Sequence, residues 1–134
     1  MVRSDDTGKL ILRLALGILI LLHGIAKVRG GVGFISGQLT SHGLPGALAY
    51  LVYIGEIVAP VLVLVGFYAR PAAWVMVINM LVAIWLAHAK ELFVIGKTGG
   101  LALELQYLFL AAALAVAFLG AGRFSLAGTG GKLN

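Results

Sequence analysis

The stretch "LILRLALGILILLHGIAK", Leu10 to Lys27, decides the class of fold. It reads as an apolar helix interrupted by Arg13, until two basic side chains, His23 and Lys27, arrive four residues apart. About 20 mostly apolar residues cross a bilayer. The pair is then either the ordinary polar end of a membrane helix or one wall of a site. The rest of the chain decides which.

The 134 residues suffice for one compact unit and are too few for two ordinary domains. Hydrophobic residues make up 61% and the mean hydropathy is +1.07, against roughly 45–50% apolar usage in soluble domains. Much of this content lies in long blocks, so the composition is that of a membrane protein. The net charge of +5 raises nucleic acid as a partner. The basic residues stand singly between apolar blocks, however, without an aromatic-and-arginine platform, so no nucleic-acid partner is expected. They read instead as anchors to lipid headgroups. Cysteine is absent, which excludes disulfides, thiol redox chemistry and thiolate metal sites within this chain.

Four segments qualify as spans, at about 10–26, 47–69, 72–89 and 101–122, and the expected fold is an all-α integral membrane four-helix bundle with antiparallel, up-and-down spans. The first is a poor signal peptide, because "GIAKVRGG" offers no small-x-small cleavage site. Arg13 lies one turn beyond Lys9, so both are expected to snorkel to one headgroup layer. "GFYARPAA" is a tight turn carrying Arg70, with Pro71 at the first position of the next helix. In the longest connection, Phe34, Ile35 and Leu39 suit a short interfacial turn over the bundle, and His42 reads as surface. The tail, 127–134, reads as disordered. Arg3, Lys9, Arg13, Arg70, Arg123 and Lys132 fall on one side, against Lys27, Arg29, Lys90 and Lys97 on the other. That excess puts both termini in the cytoplasm. In the fourth span, Ala111/Ala115 and Ala113/Ala117 have the spacing that lets helices approach closely.

Under this topology all four spans place an ionisable group in the outer half: His23 and Lys27, Glu56, His88, and Glu104. That asymmetry favours a site. A carboxylate well inside a span is costly to bury and marks function by default. Tyr53 shares a helical face with Glu56, and Tyr107 with Glu104. The candidate ligand-binding set is therefore His23, Lys27, Tyr53, Glu56, His88, Glu104 and Tyr107, with Arg13 and Arg70 as topology anchors. Asn79 lies about 180° from His88 and is set aside as an interhelical hydrogen-bonding residue. Gln106 lies about 200° from Glu104 and is expected to face another helix or protomer. Pro60 is expected to bend the second span and free a backbone carbonyl near Glu56.

A buried carboxylate beside lysine or histidine can pair with it or hold a proton. Both suit a quinone headgroup, whose carbonyls accept hydrogen bonds and whose reduction consumes protons. Two histidines on different helices could also clamp a haem, but without a repeated depth pattern this is the weaker reading. No metal site is expected otherwise. "GVGFISG" follows a membrane helix and not a strand, so it is no phosphate loop.

The motifs "LRLALGILILLHGIAK", "HGLPGALAYLVYIGEIVAPVLVLVGFYARPAA", "MLVAIWLAH" and "GGLALELQYLFLAAALAVAFLGAGRFSL", in this order and over nearly the whole chain, resemble the DoxX family of small bacterial inner-membrane proteins. The resemblance implies a four-helix membrane protein, with members described as quinol oxidase or oxidoreductase-associated subunits. The family positions present are His23, Lys27, Glu56, Arg70, His88 and Glu104. Pro60 stands where relatives often carry a glycine-rich run. The leading expectation is a subunit that binds a quinone or similar lipophilic redox compound, among membrane lipids and with redox partner proteins or a second copy. A non-enzymatic scaffold or assembly factor is the alternative, and a small proton-coupled transporter acting as an oligomer is a third.

Overall fold

The computed structural model describes residues 4–134; Arg3, counted in the charge asymmetry, lies outside them. Helices account for the architecture, and the described residues contain one isolated β-bridge, Ile95 to Leu101, and no strand. Five helical runs follow in order: α1 (Ser4–Gly30), α2 (Gly33–Ser41), α3 (Gly46–Val65), α4 (Ala69–His88) and α5 (Glu104–Leu119).

α1 is 27 residues long, with Asp5 and Asp6 in its first turn and Lys27 and Arg29 in its last. These charges complement the helix dipole at both ends. α3 is one helical run with three textures: tight 3-10 turns over Gly46–Leu51, a widened π turn over Ile54–Val58, and α-helix over Ala59–Val65. It stops at Gly66, whose φ of +73° suits glycine, and the N–H groups of Gly66 and Phe67 both return to Leu62 O. α4 begins at Ala69, so Pro71 occupies the third helical position and not the first. The missing N–H costs nothing there, since first-turn N–H groups have no helical partner.

α1, α3 and α4 with its continuation to Glu91 are each long and apolar enough to cross a membrane. α5 has 16 residues, about 24 Å at 1.5 Å per residue. Its helix is shorter than the 101–122 expected, because Leu101–Leu103 form a turn and Gly120, at φ +81°, ends it.

α1 packs on α3 and α5, α3 on α4, and α4 on α5. Their shared core holds Leu16, Ile20, Val63, Ala73, Met76, Phe109, Ala113 and Val116. Of the two small-residue faces on α5, Ala113 and Ala117 are buried and Ala111 is exposed, so one face is used. α2 lies across one end, where Val32, Leu39, Ala49 and Leu86 form a second cluster. Ile18, Leu22, Ile78, Leu81, Leu108 and Phe118 remain exposed around the outside.

At the other end, Arg13 departs from expectation. It does not snorkel outward; it is 1% exposed. Its Nε donates to Val63 O at 2.9 Å, Nη2 to Leu64 O at 2.9 Å, and Nη1 to Ala121 O at 2.8 Å and Phe124 O at 2.7 Å. Val63 and Leu64 lie in the last turn of α3, whose carbonyls have no helical donor. Arg70 acts likewise on α5, donating from Nη1 to Phe118 O at 2.6 Å. The anchors are thus inward-facing helix caps.

The tail read as disordered packs against this end. Asn134 is buried, its Oδ1 accepts from Ala69 N at 3.1 Å, and Leu133 O accepts from Arg70 N at 3.2 Å. Composition alone could not show that the unpaired first N–H groups of α4 would recruit it.

Arg13→Met should strand four carbonyls and lower stability by about 3 kcal/mol. Thermal unfolding of the purified protein checks this, and an unchanged midpoint would contradict the capping role.

Candidate functional site

The site is built where α1 and α3 approach most closely. A side chain at Gly24 would collide with the backbone carbonyl of Glu56, so only glycine fits there. Pro60, four residues on, has no N–H to give that carbonyl. The chain accommodates the proline with the π turn, in which Ala59 N–H reaches back to Ile54 O. On the opposite side, a side chain at Gly55 would collide with that of Asn79. Two glycines and a proline therefore press Glu56 between α1 and α4.

Its carboxylate is held from both sides. Lys27 Nζ donates to Glu56 Oε1 at 2.5 Å, and Asn79 Nδ2 donates to Oε2 at 3.1 Å. The glutamate side chain is 8% exposed and the lysine 28%. An isolated charge at this depth would be prohibitive; a paired one with its second oxygen also satisfied is sustainable. Tyr53 does not touch the carboxylate. Its hydroxyl donates to Lys27 O at 3.1 Å and fixes the end of α1 against α3.

Beside the pair lies a cleft of about 200 Å³, lined by Ile20, His23, Lys27, Glu56, Met80, Ala83, His88, Leu105, Gln106 and Phe109. Its polar groups are a cation, a carboxylate, two imidazoles and an amide, on an otherwise apolar wall. His23 meets Phe109 edge-on, with ring centroids 5.8 Å apart. His88 Nδ1 lies 3.4 Å from Glu91 Oε1 in the following turn. The volume falls below the roughly 300–1,000 Å³ of sites that enclose a drug-sized ligand, so the space is that of a single ring. A second depression, of about 300 Å³ at the far end, is lined by Phe67, Tyr68, Ala127 and Gly131 to Asn134, with Lys132 its only lysine or arginine.

Four of the seven expected ligand-binding residues, His23, Lys27, Glu56 and His88, line this cleft. Glu104 does not. It is exposed at the first position of α5, and its carboxylate folds over Gly100. Tyr107 is also elsewhere, its hydroxyl donating to Leu92 O at 2.6 Å and tying the α4–α5 connection to α5. The angular relation between Glu104 and Gln106 holds, but it is Gln106 that faces inward, beside Leu105 and Phe109.

Asn79 is the interhelical hydrogen-bonding residue expected, bonding Glu56 from α4 and lying outside the cleft that His88 borders. Their separation of about 180° fits both places. Met80 lies between them in phase, with Asn79 about 100° to one side and His88 about 80° to the other. Asn79 thus reaches Glu56 from the α3–α4 seam while His88 borders the cleft. The signal for Gln106 as a cleft residue was present, in the rarity of amides inside apolar spans.

The DoxX family model matches residues 8–89. A Bacillus subtilis (strain 168) protein described as "Putative oxidoreductase CatD" is 31% identical over 118 residues, covering 88% of this chain and 83% of that protein. No solved structure matches. The chain belongs to the DoxX family.

Removing Lys27 leaves Glu56, 8% exposed, without its cation. Lys27→Met should cost about 3 kcal/mol, whereas Lys27→Met with Glu56→Met should recover most of that loss. A double-mutant cycle in thermal unfolding checks it; additive losses would show that the two groups do not pair.

Proposed function

We propose that this DoxX-family chain is a four-span bundle protein of the bacterial inner membrane that binds a quinone or similar lipophilic redox compound in the Lys27–Glu56 cleft. Within that reading, α1, α3, α4 and α5 cross the bilayer, both termini are cytoplasmic, and the cleft opens in the periplasmic half. The chain serves as the membrane subunit of a quinone-linked oxidoreductase system. A partner redox protein supplies or takes the electrons.

The observation that carries the proposal is a buried glutamate paired with a half-buried lysine among apolar helices, bordering a ring-sized space. Lys27 has three donors, and one goes to Glu56. The others suit a carbonyl oxygen, and a fixed cation stabilises the negative charge that develops there on reduction. His23, His88 and Gln106 supply further polar contacts around the ring. Ile20, Met80 and Phe109 exclude water from its faces. The relative described as an oxidoreductase is in keeping with this chemistry.

A non-enzymatic scaffold is the second reading, and one observation favours it. Both oxygens of Glu56 are already occupied within the protein, as in a pair that serves packing alone.

Titration of the protein in lipid nanodiscs with a short-chain benzoquinone separates the two. Saturable binding is expected for the wild type, and Lys27→Met or Glu56→Gln should weaken it at least about tenfold, or 1.4 kcal/mol. No saturable binding by the wild type would leave the scaffold reading in place. A reporter enzyme active only outside the cytoplasm, fused after Asn134, should be silent; activity would reverse the proposed orientation.

A further inference from the structure

Three of the four seams between the long helices are closed beside the cleft. α1 meets α3 at Gly24 and the Glu56 carbonyl, with Tyr53 bonded across the seam to Lys27 O. α3 meets α4 at Gly55 and Asn79. α4 and α5 are joined above the cleft by their own connection, which Tyr107 ties down at Leu92 O. The seam between α1 and α5 is different. Deeper in the bundle Leu16 and Ile20 share a core with Ala113 and Val116. At cleft level the contact is His23 against the edge of Phe109.

Helical phase places the neighbours of this seam. The buried face of α1 is marked by Leu16, Gly17, Ile20 and Gly24. Gly17 and Gly24 lie on its α3 side, since they touch Leu64 and Glu56. His23 lies about 100° from Gly24, on the flank toward α5. It is exposed although it lines the cleft. Across the seam Leu105 does the same, 47% exposed and lining the cleft. Leu19, one turn from His23, and Leu108, near Leu105, continue the outer surface as exposed apolar side chains.

We infer that the cleft communicates sideways with the bilayer, between α1 and α5, and that its ligand is a molecule dissolved in the lipid and not in water. This rests on the proposal that the cleft binds a small redox ring. The ring passes His23 and Leu105 to reach Lys27. An apolar chain attached to it stays outside, along Leu19 and Leu108, because about 200 Å³ has no room for it. The ligand class is therefore a ring with one long apolar substituent. His23 acts at the opening, where its imidazole is the first polar group such a ring meets.

The test uses a benzoquinone whose alkyl tail ends in a diazirine, photolysed with the full-length protein in lipid nanodiscs and mapped by mass spectrometry. Adducts on Leu19, Leu22, Leu105 or Leu108 that excess tailed quinone removes are the expected result. Competed adducts on α2, or on the α3–α4 seam, would overturn the lateral route while leaving ring binding intact. Absence of any competed adduct would overturn both this inference and the binding proposal beneath it. As a second readout, Leu108→Trp, outside the cleft, should slow association of the tailed quinone at least about tenfold. Its affinity for the tailless ring should be unchanged. Unaltered association would contradict the route.

Discussion

The structure depends on one interaction: a lysine in the last turn of α1 bonded to a glutamate inside α3, away from bulk water. The glutamate, 8% exposed, is costly there without a cation, and the surrounding sequence is arranged to bring the two together. Gly24 removes the side chain that would hold the helices apart. Pro60 offers the Glu56 carbonyl no N–H, and the π turn absorbs the displaced hydrogen bond. Asn79 occupies the second carboxylate oxygen. The result is a paired cation facing a small apolar-walled space.

The two ends of the protein solve different problems with the same residue types. At the Arg13 end, guanidinium groups satisfy the terminal carbonyls of α3 and α5, and the last residues of the chain satisfy the first N–H groups of α4. Arg13 and Arg70 there point at backbone, while Lys9 pairs with Asp5 and Lys132 borders the far depression. At the Lys27 end the cation points at a carboxylate and a cleft, and two histidines stand beside it. The Arg13 end gives the Lys27 end a firm base, because bonds from Arg13 and Arg70 hold α1, α3, α4 and the end of α5 together.

Much of this was legible in the residues. Long apolar blocks indicate the helical class, although α1 runs over Ser4–Gly30 against the 10–26 expected and α3 stops at Val65 and not at 69. The depth of Glu56 calls for a basic partner without saying which. What failed was the assignment of faces. Helical phase separates His88, beside the cleft, from Asn79, on the α3–α4 seam, as found, but it does not show that Gln106 and not Glu104 turns inward. Glu104 was favoured because it is charged, although a carboxylate at the first turn of a helix is stabilised by the dipole there and has no need of a cleft. Arg13 was read as an anchor because the carbonyls it serves belong to residues 50 and 108 positions away, invisible to local pattern. The tail, rich in glycine, gave no sign of the helix start it covers.

The central claim is that Lys27 and Glu56 are bonded in the membrane-embedded protein. Dipolar-recoupling solid-state NMR, with nitrogen-15 at Lys27 Nζ and carbon-13 at Glu56 Cδ in lipid bilayers, measures it directly. Strong dephasing corresponding to about 3–4 Å is the predicted result. No detectable coupling between the two nuclei would contradict the account at its base.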